Sequence, residues 1–340
     1  MKEDKIISCL THNGKVNVRC IKSTNMVESA RKIHDLSPTA TAALGRLLTI
    51  TSLLGKEIKG EAGTITTQVK GNGPIGNMTA VSDNKGNVKG YVSNPYLDIP
   101  LNQENGKLNV GEAVGNQGMI YIIKDIGLKE PYVGMTPIVS GEIAEDFTNY
   151  FAKSEQTPTV VALGVLVDKN GVRAAGGYLI TLMPDATEED IIKIEEALKN
   201  ADSISKMLDE GKELIEIAEI VTGEQNLMYF EDDDIPQYKC NCSREKMERS
   251  LIAIGKDEIE DIIEKDGKAE LVCHFCNKKY EFNEEELKKL IENNFLFYKC
   301  YQECEKNLIK CLTKFYINGS INLSFAELNV LRLKLLKGVR

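Results

Sequence analysis

Apolar and polar residues alternate in several short stretches of the first half of the chain. Four of these stretches, each bounded by Gly, Asn or Asp, have the period-two pattern of strands with one buried face: Lys15–Arg19, Thr64–Val69, Val88–Val92 and Met119–Ile123. Turn residues at short intervals allow successive strands to pair as hairpins. Residues 1–24 and 60–183 are therefore predicted to form mostly antiparallel β-structure.

One segment of this region has the pattern of a helix instead. Ser37 precedes Pro38, and a serine N-cap before a proline at the first helical position is a common helix start. The sequence that follows is apolar on most faces up to Leu54, and Gly55 provides a stop. Because a helix without a polar face is normally buried, we expect it to pack against the sheet.

After Pro184 the pattern becomes helical. Thr187 and Asp190 have the spacing of a capping box ahead of a first amphipathic helix, and a second helical stretch covers about 203–221. The apolar stripes of both stretches are short, which predicts a modest attachment to the core. An acidic segment at 231–236 that ends in proline marks a boundary. We interpret residues 186–236 as a helical linker.

Beyond this boundary, four cysteines form two close pairs. One residue separates Cys240 from Cys242, two separate Cys273 from Cys276, and the segment 243–272 lies between the pairs. Four thiolates that converge in a tetrahedron are typical of a structural zinc site with Zn–S bonds of ~2.3 Å. Four soft ligands favour Zn²⁺, with an iron–sulfur site as the less favoured alternative. The pairs are predicted to lie in a small α+β domain with helices at 243–254, 257–263 and 284–293 and strands at 269–272 and 280–282.

The spacing of these cysteines leaves two interpretations open. The first is a static zinc module, in which the metal supplies much of the folding free energy of a short segment. The second is a redox switch, because oxidation of the thiolates to short-range disulfides would release the metal. Cα atoms two residues apart in an extended chain are roughly 6.5–7 Å apart, at the limit for a disulfide. The reduced and oxidised forms of Cys240 and Cys242 therefore need different backbone geometries.

The other five cysteines do not form a comparable set. Cys9 and Cys20 fall in the strand-rich region and are interpreted as small core residues. Three more have helical spacing near the C-terminus and lack a fourth ligand for a second site: Cys300, Cys304 and Cys311. His274, between two predicted ligands, is expected to be a hydrogen-bonding neighbour of the site. His34 has no obvious partner.

Composition narrows the classes of function. The 340 residues fit about two domains, and 42% hydrophobic with 27% charged residues is typical of a folded chain. A net charge of -9 disfavours nucleic acid as a partner, although residues 296–340 form a basic tail with eight basic and three acidic residues. No stretch approaches 18 consecutive apolar residues, which predicts a cytoplasmic protein without a membrane partner.

A glycine-rich segment, Gly71–Gly76, matches the spacing of the dinucleotide-binding fingerprint. That fingerprint requires a helix directly after the glycines, whereas here a strand pattern follows. We interpret the segment as a hairpin loop. Because no phosphate-binding loop motif occurs elsewhere in the sequence, no nucleotide is expected as a partner.

Several sequence blocks and the cysteine spacing together resemble the heat-shock protein 33 family of chaperonins, the redox-regulated holdases of bacteria. The blocks occur in the family's order: Thr67–Pro74, Gly90–Pro95, Tyr150–Gln156 and Ala175–Tyr178. The resemblance covers about residues 5–295 and includes all four paired cysteines. With the patterns above, it implies an α+β fold: an N-terminal chaperone core domain (1–185) rich in antiparallel sheet with a buried helix, a helical linker (186–236), a small α+β zinc-binding redox-switch domain (237–295) and a basic tail of unknown role (296–340).

The resemblance also implies a mechanism. The protein would be a chaperone that works without ATP and is not an enzyme, inactive while one Zn²⁺ is bound to Cys240, Cys242, Cys273 and Cys276. Oxidation would form the disulfides Cys240–Cys242 and Cys273–Cys276 and release zinc. The switch domain and the linker would then unfold and expose apolar surface to unfolding client proteins. The oxidised form is implied to be a homodimer.

Two other classes of protein remain as alternatives. A thiol oxidoreductase would use Cys273 and Cys276 as a catalytic dithiol and would turn over substrate disulfides such as those of insulin. A nucleic-acid-binding zinc protein would need basic residues around the zinc module, but residues 237–295 are rich in acidic side chains. The chaperone is therefore the favoured hypothesis.

Overall fold

The computed structural model describes residues 3–60, 62–103 and 106–293. These residues form two compact units. The first contains the described residues up to 241 together with 273–278, and the second contains 242–272 and the described residues from 279 onward. The basic tail, with Cys300, Cys304 and Cys311, lies outside the described residues. The domain boundaries drawn from the sequence stay a prediction.

Two five-stranded sheets form the framework of the first unit, and every neighbouring pair of strands in them is antiparallel. The first sheet has the order β10 (Tyr229–Glu231), β1 (Lys5–Leu10), β2 (Val16–Lys22), β9 (Gly171–Leu182) and β8 (Thr159–Asp168). The second has the order β5 (Val88–Val92), β4 (Asn77–Asp83), β3 (Thr64–Gly71), β6 (Gly118–Asp125) and β7 (Tyr132–Pro137). All four strands predicted from alternation are present, and the predicted α+β class is confirmed.

The predicted apolar helix is α2 (Pro38–Gly55), and it contacts strands of both sheets. Every residue of α2 except Pro38 and Arg46 is buried. The Ser37 side chain accepts the Ala40 N–H, as expected of an N-cap. Several buried hydroxyls of the helix have partners: the Thr51 hydroxyl, for example, donates to the Leu47 carbonyl at 2.6 Å. The prediction of a buried helix is confirmed.

Three further helices are described before the linker. They are α1 (Thr24–His34), α3 (Val110–Val114) and α4 (Ala144–Tyr150), with a π-helical turn after α4 at Phe151–Glu155.

Across the part of the chain that the structure describes, no helix combines the length and the apolar character needed to cross a membrane.

The linker helices cover one face of the first sheet. They are α5 (Glu188–Asn200), α6 (Ile204–Asp209) and α7 (Leu214–Thr222). Thr187 and Asp190 form the predicted capping box, but the second predicted stretch is divided into two helices at Gly211, whose φ of 88° suits glycine. Eight buried side chains of this region pack against β1, β2 and β9, so the attachment is more extensive than predicted: Ile194, Ile204, Met207, Leu214, Ile217, Ala218, Val221 and Leu227.

The second unit is small and has a thin core. It contains α8 (Arg244–Ile254), α9 (Lys256–Asp266), the antiparallel hairpin of β11 (Lys268–Val272) and β12 (Lys279–Asn283), and a helical segment at 284–293. These elements lie close to the positions predicted from the sequence. The buried apolar side chains described here are Leu251, Ile259, Ala269, Tyr280, Phe282 and Leu287. So few side chains contribute little hydrophobic stabilisation.

A buried carboxylate, Asp4, lies at the start of α1. It accepts backbone N–H groups of Asn25 at 3.1 Å and Met26 at 2.8 Å. Burial raises the pKa of Asp4 from 3.8 to about 6, although these hydrogen bonds oppose the shift. The folded state therefore binds this proton more tightly than the unfolded chain, and this contribution to stability decreases as the pH rises from about 4 to about 6.

We expect Asp4→Asn to remove this pH dependence, because the amide keeps an acceptor oxygen and does not ionise. Between pH 4 and pH 7 the wild type should lose about 2 kcal/mol of unfolding free energy relative to the variant. Urea unfolding of both proteins in reducing buffer with a chelator measures this difference without a contribution from metal loss. Parallel pH profiles for the two proteins would contradict the prediction.

Candidate metal centre

Cys240 lies at the end of an extended segment that runs beside β5. The Val88 N–H donates to the Gln237 carbonyl at 2.8 Å, and the Lys239 N–H donates to the Val88 carbonyl at 2.9 Å. Tyr238 and Val88 form a parallel bridge between these two bonds. The backbone directly before Cys240 is therefore fixed by its pairing with the second sheet.

Cys273 and Cys276 lie in a tight turn. The N–H groups of Cys276 and Asn277 both donate to the Cys273 carbonyl, at 3.2 and 2.8 Å, and the Cys273 N–H donates to the Lys278 carbonyl at 3.0 Å. Asn277 has a φ of 57°, a left-handed conformation that asparagine tolerates better than most residues. Its side chain donates to the Ile33 carbonyl at 2.7 Å, which holds the turn against α1.

The four predicted ligands are brought together. The sulfur atoms of Cys240, Cys242, Cys273 and Cys276 all lie within 4.8 Å of one another. The sulfurs of Cys240 and Cys273 are 3.7 Å apart, and a regular tetrahedron with Zn–S bonds of ~2.3 Å has edges of about 3.8 Å. Cys273 is only 5% exposed, and the other three are half-buried. Four soft donors at this spacing fit a metal ion such as Zn²⁺.

Aromatic and cationic side chains surround the cysteine turn. The Tyr91 ring centroid lies 5.3 Å from that of Phe275 and 5.6 Å from that of His274. The Lys89 ammonium lies 4.8 Å from the Phe275 ring centroid, within cation–π range. His274 is thus a neighbour of the site that packs on a tyrosine, and it is not part of the cysteine cluster.

A second contact, which no sequence pattern indicated, joins Tyr238 and His34. The Tyr238 hydroxyl lies 2.9 Å from His34 Nε2, accepts the Gly90 N–H at 3.3 Å, and reaches the carbonyls of Gly90 and Phe275 at 2.7 and 2.5 Å. Burial raises the pKa of Tyr238 and lowers the pKa of His34, so both are uncharged at neutral pH. One hydroxyl thereby links α1, β5 and the cysteine turn. The only indication of this contact in the sequence was the position of Tyr238, two residues before Cys240.

A tyrosine on β12 touches one of the four sulfurs directly. The Tyr280 hydroxyl donates to Cys242 Sγ at 3.1 Å. Tyr280 is 6% exposed, and its backbone pairs with Leu271 of β11. A hydrogen bond from a hydroxyl to a thiolate stabilises the negative charge on sulfur. The sequence pattern did not reveal this contact.

Two further cysteines are core residues, as predicted. Cys9 and Cys20 are buried in the core between the first sheet and the linker helices. Burial raises the pKa of the Cys9 thiol to about 11 and that of the Cys20 thiol well above its usual value. Both thiols are therefore protonated at neutral pH and are poor nucleophiles.

The segment Gly71–Gly76 connects two strands, as predicted for a hairpin loop. Gly71 is the last residue of β3 and Asn77 the first of β4. A Cβ atom at Gly73 would lie 2.3 Å from the Ala113 carbonyl oxygen. This glycine is therefore required for close packing of the loop against the α3 region.

Comparison with known proteins agrees with this geometry. The family model described as "Hsp33 protein" matches residues 4–283. A 33 kDa chaperonin of Clostridioides difficile (strain 630) is 48% identical over 289 residues, which are 85% of this chain and 99% of that protein. A 33 kDa chaperonin of Thermoanaerobacter sp. (strain X514) is 46% identical over 85% of this chain and 98% of its own length.

The fold is likewise similar to a solved structure. The crystal structure of the 33 kDa chaperonin (heat shock protein 33 homolog) from Thermotoga maritima has a TM-score of 0.79 at 39% identity, over 86% of this chain and 98% of that one. These relatives are named chaperonins, which is a non-enzymatic function and the one predicted from the sequence. By the family model, the sequence identity and the shared fold, this chain belongs to the Hsp33 family.

Proposed function

We propose that the protein is a redox-regulated holdase, a chaperone that binds unfolding proteins without ATP and is activated by oxidation. Membership of the Hsp33 family supports a chaperone. The observation that supports a redox switch is the cluster of four sulfurs within 4.8 Å of one another. It is formed by two pairs of cysteines that are distant in the sequence. In this proposal the reduced, metal-bound form is inactive.

Zn²⁺ is the metal that we propose for the reduced form, one per chain. Its ligands would be Cys240, Cys242, Cys273 and Cys276, and bound zinc would neutralise the thiolates and cross-link their segments. Zinc contributes ~10–16 kcal/mol of apparent binding free energy to the folding of small zinc modules. The thin core of the second unit supports a similar dependence here. A four-sulfur site leaves no ligand position for catalysis.

Oxidation by hydrogen peroxide would convert each cysteine pair into a disulfide. One thiolate attacks a peroxide oxygen, which gives a sulfenic acid and releases hydroxide; the partner thiol then displaces the sulfenic oxygen as water. One thiolate, one thiol and one peroxide thus give one disulfide, one hydroxide and one water. The proposed products are Cys240–Cys242 and Cys273–Cys276. Because disulfide sulfurs are not thiolate ligands, the metal leaves.

Loss of the metal would act on the linker through the segment before Cys240. Upstream of this segment, Asp232 and Asp234 pair with the Lys56 ammonium at 2.8 and 3.1 Å. Three residues of β10 pair with β1. Once the metal no longer anchors Cys240, the end of the linker would be held by these short contacts and by the pairing of Tyr238 with Val88; the partly exposed ion pairs contribute little.

The surface that we propose for client binding is the face of the first sheet beneath α5, α6 and α7. Its buried side chains include Ile7, Val18, Tyr178 and Ile180. Departure of the linker would expose this face and the apolar side of the helices together. Contiguous apolar surface of this kind binds unfolded chains.

The remaining features of the proposal rest on the family resemblance. Residues 1–185 would be the chaperone core, 186–236 the linker and 237–295 the switch domain. The oxidised protein would be a homodimer in the cytoplasm, with unfolding proteins as partners and without a nucleic acid, nucleotide or membrane partner.

Titration of the reduced protein with peroxide tests the switch. We expect one zinc per chain, measured with a chromogenic chelator, to be released in parallel with the gain in suppression of client aggregation. A dithiol reductant with added zinc should reverse both changes. Zinc release without a gain in client holding, or no release at all, would show that the site is static.

Replacement of one ligand tests the four-sulfur site. Cys242→Ser should weaken zinc binding and give partial holding activity in reducing buffer, because three thiolates hold the metal less tightly. Zinc content by mass spectrometry under native conditions measures the loss. Cys9→Ala is the matched control and should keep one zinc per chain. Equal zinc affinity in both variants would contradict the assignment of Cys242.

Weakening the linker tests the client surface without altering the metal site. Ile217 of α7 is fully buried against the first sheet, so Ile217→Ala should cost about 2–4 kcal/mol and give measurable client holding in the reduced, zinc-bound protein. Ile192→Ala on α5, where the side chain is 47% exposed, is the control and should have little effect. If reduced Ile217→Ala bound full zinc and remained inactive while losing the expected stability, the face beneath the linker would not be the client surface.

A further inference from the structure

The Tyr280 hydroxyl is the polar group described above that donates to a cluster sulfur, Cys242 Sγ, at 3.1 Å. Its position is set by the β11–β12 hairpin, where Tyr280 pairs with Leu271. The side chain is 6% exposed, so water competes weakly for the hydroxyl proton. This contact is therefore a fixed feature of the hairpin.

A second contact holds the segment that contains Cys242 against β12. The Arg244 guanidinium, two residues after Cys242, lies 4.2 Å from the Phe282 ring centroid. It also donates to Glu286 at 2.7 Å. Tyr280 and Phe282 lie on the same strand, so contacts on either side of Ser243 keep Cys242 beside the tyrosine hydroxyl.

A hydrogen bond of this kind changes the reactivity of the sulfur. Attack of a thiolate on peroxide moves negative charge from sulfur to oxygen. A donor that stabilises the charge on sulfur therefore stabilises the reactant more than the transition state. Nucleophilicity of a thiolate falls as its basicity falls. Cys242 should consequently react more slowly than it would without the hydroxyl.

We propose that Tyr280 is a positioning residue that slows oxidation of Cys242 and thereby raises the dose of oxidant needed to release the metal. This inference rests on the proposed redox switch and adds the residue that sets its threshold. The role belongs to the hydroxyl. A phenylalanine ring would fill the hairpin core equally well, but it has no group that donates to Cys242.

The test compares Tyr280→Phe with Tyr91→Phe, which removes a hydroxyl from a ring that packs against the cysteine turn. Both full-length proteins are loaded with zinc, exposed to hydrogen peroxide, and sampled by differential alkylation and mass spectrometry. We expect Cys242 in Tyr280→Phe to be oxidised about threefold to tenfold faster than in the wild type. The other three cysteines should start to react at the wild-type rate, and Tyr91→Phe should match the wild type.

Cobalt substitution provides a readout that does not depend on client binding. In Co²⁺-loaded Tyr280→Phe the sulfur-to-cobalt charge-transfer band should shift, whereas in Tyr91→Phe it should not. An unchanged oxidation rate at Cys242, equal acceleration at all four cysteines, an unshifted band, or less than one metal per chain in Tyr280→Phe would each overturn the role of Tyr280. If peroxide released no zinc from the wild type, the proposed function itself would fail instead.

Discussion

Four sulfur atoms lie within 4.8 Å of one another, and the ionised form of this cluster requires a cation because thiolates at that separation repel each other. The segment 243–272 separates the two pairs of cysteines, so one bound ion would close this segment into a loop. The thin core of the second unit cannot replace that constraint. Folding of this region and binding of a metal ion would therefore be one coupled equilibrium.

Burial sets Cys9 and Cys20 apart from the four cysteines of the cluster. Both are buried and protonated, so these two thiols are poor targets for an oxidant. The cysteine turn is also well anchored, since Phe275 packs on Tyr91 and Asn277 bonds to the end of α1. In the proposed switch, these contacts would connect a change at the sulfurs to β5 and α1.

The sequence pattern predicted those features that are encoded by residues close together in the chain. α2 was predictable because it is apolar on nearly every face, and the four cysteines because their spacings suit one metal ion. The Tyr238–His34 contact joins residues 204 positions apart, and no periodicity encodes such a pair. The attachment of the linker was underestimated because the stripe of α7 is short by itself. Its extent became evident only with the apolar sheet face that it covers.

β10 delays the completion of the linker during folding. Its register pairs Glu231 with Ile7, near the beginning of the chain, through a strand of only three residues, all of them exposed. Closure of so long a loop is slow, and the few contacts of β10 offset little of its entropic cost. During synthesis the first sheet can assemble from β1, β2, β8 and β9 before residues 229–231 leave the ribosome. The apolar face beneath the linker is then covered only after these four strands have been made, and a newly made chain passes through an open state before it is first closed.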